Sequence, residues 1–390
     1  MLIALILMLC FFPPLTTDMF LSDIPNMAVE LGTDSSTMNM VLYGFMLSLA
    51  VSILVFGPVT DKFGRRPVLL AALVEYIAVS IAGSAAQDVY TLVVCRVLQG
   101  VGAGACMTVS TALIKDCFTG ERMKKVLNIS AVLGVLAPLV APVLGSWIIT
   151  VSGWRMTLIA PTILGFVCLA VVLLLTETVS DSQRESASLT GNFREIGRIM
   201  KDRTFLVFLL LVTVFNSTFM AYLSVSSYIY EGYFGLGQME YAMFLALALI
   251  LGTVLMFPIN RIWGAVGNIR ILGLYLGLMV LASALMFTAG RSGSVEFLVA
   301  FLPCIAVTTA IRPYGMGMIL GSTDGDNGLV SALINFMMFA MGVAGMVCST
   351  MFSDYVVGLG AIMAVASVAF LVLWVVLKGI GYEGIRLLKE

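Results

Sequence analysis

Twelve apolar runs, each long enough to cross a bilayer as a helix, constrain this chain more than any other feature. The hydrocarbon core takes about 20 apolar residues of helix to span. Inside it every backbone polar group must be bonded within the protein, which leaves helices and closed barrels. The runs fall at 2–28, 35–57, 67–86, 89–115, 122–150, 156–176, 204–230, 239–260, 269–290, 295–320, 328–352 and 358–378. Pro13, Pro14, Pro138 and Pro142 lie inside them, but proline is tolerated in membrane helices. Of 390 residues, 60% are hydrophobic and 11% are charged. A soluble domain carries about 25% charge, and no soluble fold hides this much apolar surface. The expectation is an all-α membrane protein with 12 transmembrane helices.

The first run does not read as a cleaved signal peptide. It has no basic leading region, it is too long, and it holds the Pro13–Pro14 pair and Asp18. Lys and Arg set the expected orientation. Loops after even-numbered runs hold Lys62, Arg65 and Arg66, then Lys115, Arg122, Lys124 and Lys125. Later ones hold Arg184, Arg194, Arg198, Lys201, Arg203, Arg261 and Arg270, and the tail adds Lys378, Arg386 and Lys389. That side has seventeen of the 21 bases, and the other only Arg155 and Arg291. Both termini are therefore expected to be cytoplasmic. Arg96 and Arg312 fall within runs.

Several chemistries are excluded. There is no histidine, so Ser-His-Asp triads, HExxH zinc sites, Cys-His nucleophiles and haem proximal ligands drop out. Lys plus Arg is 21 against 22 for Asp plus Glu, so no basic excess invites nucleic acid. No GxxxxGK[ST] occurs, so ATP is not the energy source. Asp324-Gly-Asp326-Asn-Gly328 starts like a calcium loop, but its twelfth position is Asn335 rather than Glu. It reads as a turn and cap before the eleventh run. The seven cysteines are scattered without a CxxC and read as small packing residues.

Residues 179–203 form the one long polar stretch. Phe193, Ile196 and Met200 recur there at helical spacing among basic residues, as in a helix lying on the membrane surface. The stretch separates a six-span half at 1–178 from a second at 204–390. The halves repeat: Pro58, Phe63 and Gly64 are echoed 200 positions later by Pro258, Trp263 and Gly264. Six spans per half make the repeat parallel, with a pseudo-twofold axis along the membrane normal. That is the arrangement of the major facilitator fold.

Four motifs carry a resemblance to that superfamily. Gly57-Pro-Val-Thr-Asp61-Lys62-Phe-Gly64-Arg65-Arg66 resembles its signature loop. Physically, Gly57 allows close helix approach, and Asp61 is placed to pair with Arg65 and to accept from a neighbouring helix N-terminus. The resemblance implies a latch between halves at Gly57, Asp61, Gly64 and Arg65; the basic residues also serve as a topology anchor. Arg96-Val-Leu-Gln99-Gly100-Val-Gly102-Ala-Gly104 is similar to the family's span-four motif, in which the Arg is linked to protonation. An Arg at this depth needs polar company, and small residues let helices approach. Gly134, Pro138, Ala141, Pro142 and Gly145 resemble the Gly-Pro-rich antiporter motif, with Ala141 where the family has Gly and Ser146 in place of a second Gly. Thr17-Asp18-Met19-Phe20-Leu21-Ser22-Asp23-Ile24-Pro25 resembles the span-one segment of the Bcr/CflA drug-resistance subfamily, which has Ala where Asp23 stands. Gly153-Trp154-Arg155 and Thr176-Glu177-Thr178 extend the likeness along the chain.

The resemblance implies a drug/H+ antiporter of a bacterial cytoplasmic membrane, monomeric, with no cofactor or metal. Its partners are protons, lipid and a small amphiphilic drug-like substrate. An uptake symporter of the same fold is the alternative, and a membrane-embedded enzyme or receptor a remoter one. Without histidine, the proton carrier must be a carboxylate. Asp18, on a helical face with Pro14, Leu21 and Pro25, is expected to hold the proton under the influence of Arg96. Asp23 is either a second titratable site or an exposed residue at the outer mouth. Glu75, midway along the third run, either faces lipid or turns inward. Arg312, before Pro313, either partners an acid across the cavity, with a preference for anionic substrates, or snorkels to an interface. Tyr43, Met46, Met107, Phe215, Phe219, Tyr222, Ser226, Tyr230, Asn335, Phe336 and Phe339 are cavity candidates, because aromatic and Met side chains adapt to varied apolar ligands.

Overall fold

A computed structural model describes residues 1–180, 184, 188–322 and 327–380, without the side chains of 131, 135, 263–266, 320–322, 327 and 380. The expected turn at Asp324 and Asp326, and the tail bases Arg386 and Lys389, lie outside the described residues. Twelve helical spans run Leu2–Glu30, Ser35–Phe63, Arg65–Ser84, Val89–Cys117, Gly120–Ser152, Arg155–Leu173, Arg203–Tyr233, Gln238–Ile262, Asn268–Ala289, Ser294–Ile319, Gly328–Ser349 and Tyr355–Gly379. They are numbered one to twelve below. Large apolar side chains such as Val74, Ile81, Val94, Ile163, Val280 and Val372 stay exposed along them, as helices in lipid require.

Short turns between spans are built on aspartate caps. Asp34 accepts from the backbone N–H groups of Ser36 (3.0 Å) and Thr37 (3.2 Å) at the start of span two. Asp88 accepts from Thr91 N–H (2.8 Å) before span four, and Asp202 from Thr204 N–H (2.9 Å) before span seven. Each satisfies donors that a helix N-terminus leaves open. The side-chain hydroxyls of Thr37 and Thr91 also donate to Asp34 and Asp88 and help hold both below the ordinary carboxylate range.

Spans one and seven are broken. Span one is an α-helix over Leu2–Asp18, a 3-10 turn at Leu21–Asp23 and a second helix over Ile24–Glu30. The single helical face expected for Pro14, Asp18, Leu21 and Pro25 therefore ends at Asp18. Span seven runs as Arg203–Thr213 and Asn216–Ser227, closing in a wide π turn at Tyr228–Tyr233. Each break lies against a glycine. A methyl group on Gly145 of span five would run into the Met19 carbonyl, and one on Gly345 of span eleven into the Ser217 carbonyl.

Two compact units divide the chain: residues 1–194 with 238–246, and residues 195–237 with 247–390. In the first, span one packs on four, five and six, and span three on four and six. In the second, span seven packs on ten, eleven and twelve, and span nine on ten and twelve. For these spans the pairing is the same, shifted by six; in the first unit span two also packs on span four. The polar stretch contains the helix Leu189–Ile199, none of whose residues is buried.

Candidate functional site

The polar core of the first unit is built around Arg96, which is 1% exposed. Its Nη1 donates to the Thr16 carbonyl (2.9 Å) and to Gln99 Oε1 (2.7 Å). Gln99 Nε2 donates to Ser80 Oγ (2.6 Å), and Ser80 Oγ donates to the Tyr76 carbonyl (2.7 Å). The Tyr76 hydroxyl bonds Thr16 Oγ1, closing a ring across spans one, three and four. The guanidinium lies over Phe20 (4.2 Å) and Phe45 (4.6 Å), where the ring faces attract a cation. Its Nε and Nη2 have no hydrogen-bond acceptor among the described residues. Glycines set the packing. A methyl on Gly100 would strike Ser48 and Phe45, and one on Gly104 would come 2.9 Å from the Leu49 carbonyl.

Asp18 ends the first helix of span one, two residues from the carbonyl that Arg96 holds. It is 8% exposed. Asp18 and Arg96 make no salt bridge. The antiporter-motif residue Ala141 is buried, and Gly145 seats the break beside Asp18. Gly134 does not share this role: no atom lies within 4 Å of where its methyl would stand. Asp23 is not an exposed mouth residue. It is 5% exposed and accepts from Asn26 Nδ2 (2.8 Å) and from Gln238 Nε2. Glu75 turns inward, toward Gly102 of span four. Neither of its oxygens has a hydrogen-bond partner among the described residues.

Arg65 organises the loop between spans two and three. Its guanidinium pairs with Asp61 (2.5 Å) and Asp116 (3.0 Å) and donates to Thr60 Oγ1 (2.6 Å). Two readings of this loop are corrected. Gly57 brings no helix close, since nothing lies within 4 Å of its added methyl. The donors of the span-three N-terminus go to Glu177, not Asp61. Glu177 Oε1 accepts from Arg65 N–H (2.9 Å) and Oε2 from Arg66 N–H (3.0 Å). The Thr178 and Val179 N–H groups also donate to Glu177 (3.0 and 3.1 Å). Burial pushes this carboxyl up, but the four backbone donors outweigh it and hold it below the ordinary range. Gly64, at φ +97°, needs both its backbone freedom and its missing side chain, because a methyl would lie 2.6 Å from Glu177 Oε2.

In the second unit, Phe215 and Tyr222 are core rather than cavity. Both are fully buried, with Phe215 stacked on Phe370 (4.6 Å) and Tyr222 on Phe301 (3.9 Å). Met46 of the first unit is buried as well. Tyr43, Met107, Phe219, Asn335 and Phe336 are half-buried. Arg312 is exposed and directs Nη2 at Asn335 Oδ1, 3.5 Å away.

Twelve spans in two like-packed sets, a buried Arg on span four and a charged loop after span two define a polytopic transport protein. The sequence profile of the Major Facilitator Superfamily matches residues 6–346, and the chain belongs to that family, a family of transporters and not of enzymes. It is 28% identical over 322 residues to the uncharacterized MFS-type transporter YdgK of Bacillus subtilis, covering 81% of this chain and 78% of that one. It is 28% identical over 289 residues to the multidrug resistance protein MdtL of Shewanella oneidensis, covering 73% and 71%. Among solved structures, a peptide transporter POT mutant in complex with alafosfalin superposes with a TM-score of 0.76 at 13% identity, covering 100% and 96%. That last likeness is one of fold.

Proposed function

We propose that the chain exports amphiphilic drug-like compounds in exchange for protons across a bacterial cytoplasmic membrane, as a monomer of the Bcr/CflA type with both termini cytoplasmic. The observation that carries this is a buried Asp18 two residues from the Thr16 carbonyl that the buried Arg96 holds. A buried acid stands at a helix break, and a buried Arg holds the backbone beside it while keeping two nitrogens open. An acid so placed takes a proton when Arg96 is drawn away and releases it when Arg96 approaches. The MdtL relative and the span-five motif support export over uptake. In this reading Gly64, Asp61 and Arg65 latch the cytoplasmic side, Asp23 is a second proton site, and Tyr43, Met107, Phe219, Asn335, Phe336 and Arg312 face the substrate.

The test is drug-driven proton movement in vesicles. Adding drug to everted vesicles should release protons with the wild type and not with Asp18→Asn. If Asp18→Asn exported a neutral drug against a pH gradient as well as wild type, the assignment would fail. Counterflow in which protons and drug travel the same way would favour the symporter.

A further inference from the structure

Arg96 and Arg312 are the two arginines well inside spans, and their surroundings differ. Arg96 is enclosed, with two acceptors and two aromatic faces. Arg312 has no carboxylate within salt-bridge distance among the described residues, and its one polar contact is the 3.5 Å approach of Nη2 to Asn335 Oδ1. Asn335 is fixed in turn, its Nδ2 donating to the Ser331 carbonyl (3.0 Å). The side chain of Arg312 is exposed on the side of span ten that meets Asn335 of span eleven.

A cation at membrane depth is costly unless it has polar company. One long contact to a neutral amide is poor compensation, and most of the five N–H donors of the fork stay open. A guanidinium in this condition suits a planar oxyanion, which it binds through two parallel N–H bonds. Phe339 stands one turn beyond Asn335 on the same face of span eleven, about 5–6 Å from it between Cβ atoms. Phe336 is adjacent, and both rings are half-buried.

We propose that Arg312, with Asn335 beside it and Phe339 one turn away, receives the anionic group of an amphiphilic aryl carboxylate, and so sets the charge class of the substrate. This deepens the export reading and rests on it for the word substrate; binding alone can be tested without it.

The probes are 2-naphthoate and its neutral isostere 2-naphthamide, with the full chain in lipid nanodiscs and binding measured calorimetrically. Wild type should prefer the carboxylate by about tenfold or more, the equivalent of one charge-assisted contact. Arg312→Gln should bring the two affinities together, and Asn335→Leu should narrow the gap. A wild type with no preference for the anion overturns the proposal. So does an Arg312→Gln protein that keeps the preference, the result expected if Arg312 only snorkels to an interface. If Arg312→Gln binds neither probe, Arg312→Lys decides: a reduced preference supports the site, and an unchanged preference overturns it. Export of both probes from loaded vesicles separates the two readings. Anion-selective binding without export leaves the site standing and removes the efflux function. Export without anion preference does the reverse.

Discussion

At Arg96 the chain concentrates what a membrane interior otherwise excludes. Replacing it with Leu strands Gln99 Oε1 and the Thr16 carbonyl, each a lost charged partner of about 1–3 kcal/mol. The expected result is a lower melting temperature in detergent together with loss of transport. Arg96→Lys keeps the charge but not the planar fork. It should melt closer to wild type than the Leu variant does and still couple protons poorly. Of this centre, Arg96 and Gln99 were legible in the sequence because they share one motif on one helix. Thr16, Tyr76 and Ser80 were not. Isolated hydroxyls in apolar spans are commonplace, and their meeting depends on packing between residues 19 to 80 positions apart. Glu177 was legible only as part of the family likeness; its clamp was not, because its four backbone donors come from two segments. Its lowered carboxyl gives a signed expectation. A depressed folded-state value contributes stability above the unfolded carboxylate range and loses it as pH falls through the folded one. Glu177→Gln should therefore lower the melting temperature at neutral pH, and its gap from wild type should close on acidification. A gap that stays constant with pH would mean that charge has no part in the clamp.

Elements were easier to read than their interruptions. Span ends follow from where apolar runs stop, and the observed ends fall near the expected ones because lipid enforces the run length. Span two is the chief departure, continuing through Pro58 to Phe63. The breaks in spans one and seven come from tertiary contact. Pro25, in the first turn of the Ile24–Glu30 helix, was a local sign of a restart, but span seven has no such mark. What holds both breaks is a glycine on a partner span, Gly145 and Gly345, again 200 positions apart. A methyl there meets backbone carbonyl, which cannot turn aside as a side chain would. Gly145→Ala and Gly345→Ala should each cost about 1–3 kcal/mol or more and reduce transport. Gly134→Ala is the control, since it adds a methyl in open space. In a helix it should be neutral or stabilising by up to about 1 kcal/mol. Thermal melts of the three proteins in one detergent check the contrast. Equal losses at all three positions would remove the close-approach argument.

The molecule as a whole is a repeat whose halves pack alike while their charges are placed unequally along the chain. Seventeen of 21 bases lie on one set of loops, the set that the positive-inside rule assigns to the cytoplasm. Two positions read it directly. Cys117 closes span four and is exposed, on the base-rich side. Ser292, exposed in the turn between spans nine and ten, is on the other. Two proteins are needed, one keeping Cys117 as its only cysteine and one carrying Ser292→Cys as its only cysteine. A membrane-impermeant maleimide on intact cells should label the second and spare the first, and everted vesicles should reverse the pattern. The opposite labelling would turn the molecule over. In the proposed exchange drug loads from the cytoplasmic side and protons from the other, so the labelling pattern fixes which end of the molecule must open to collect each.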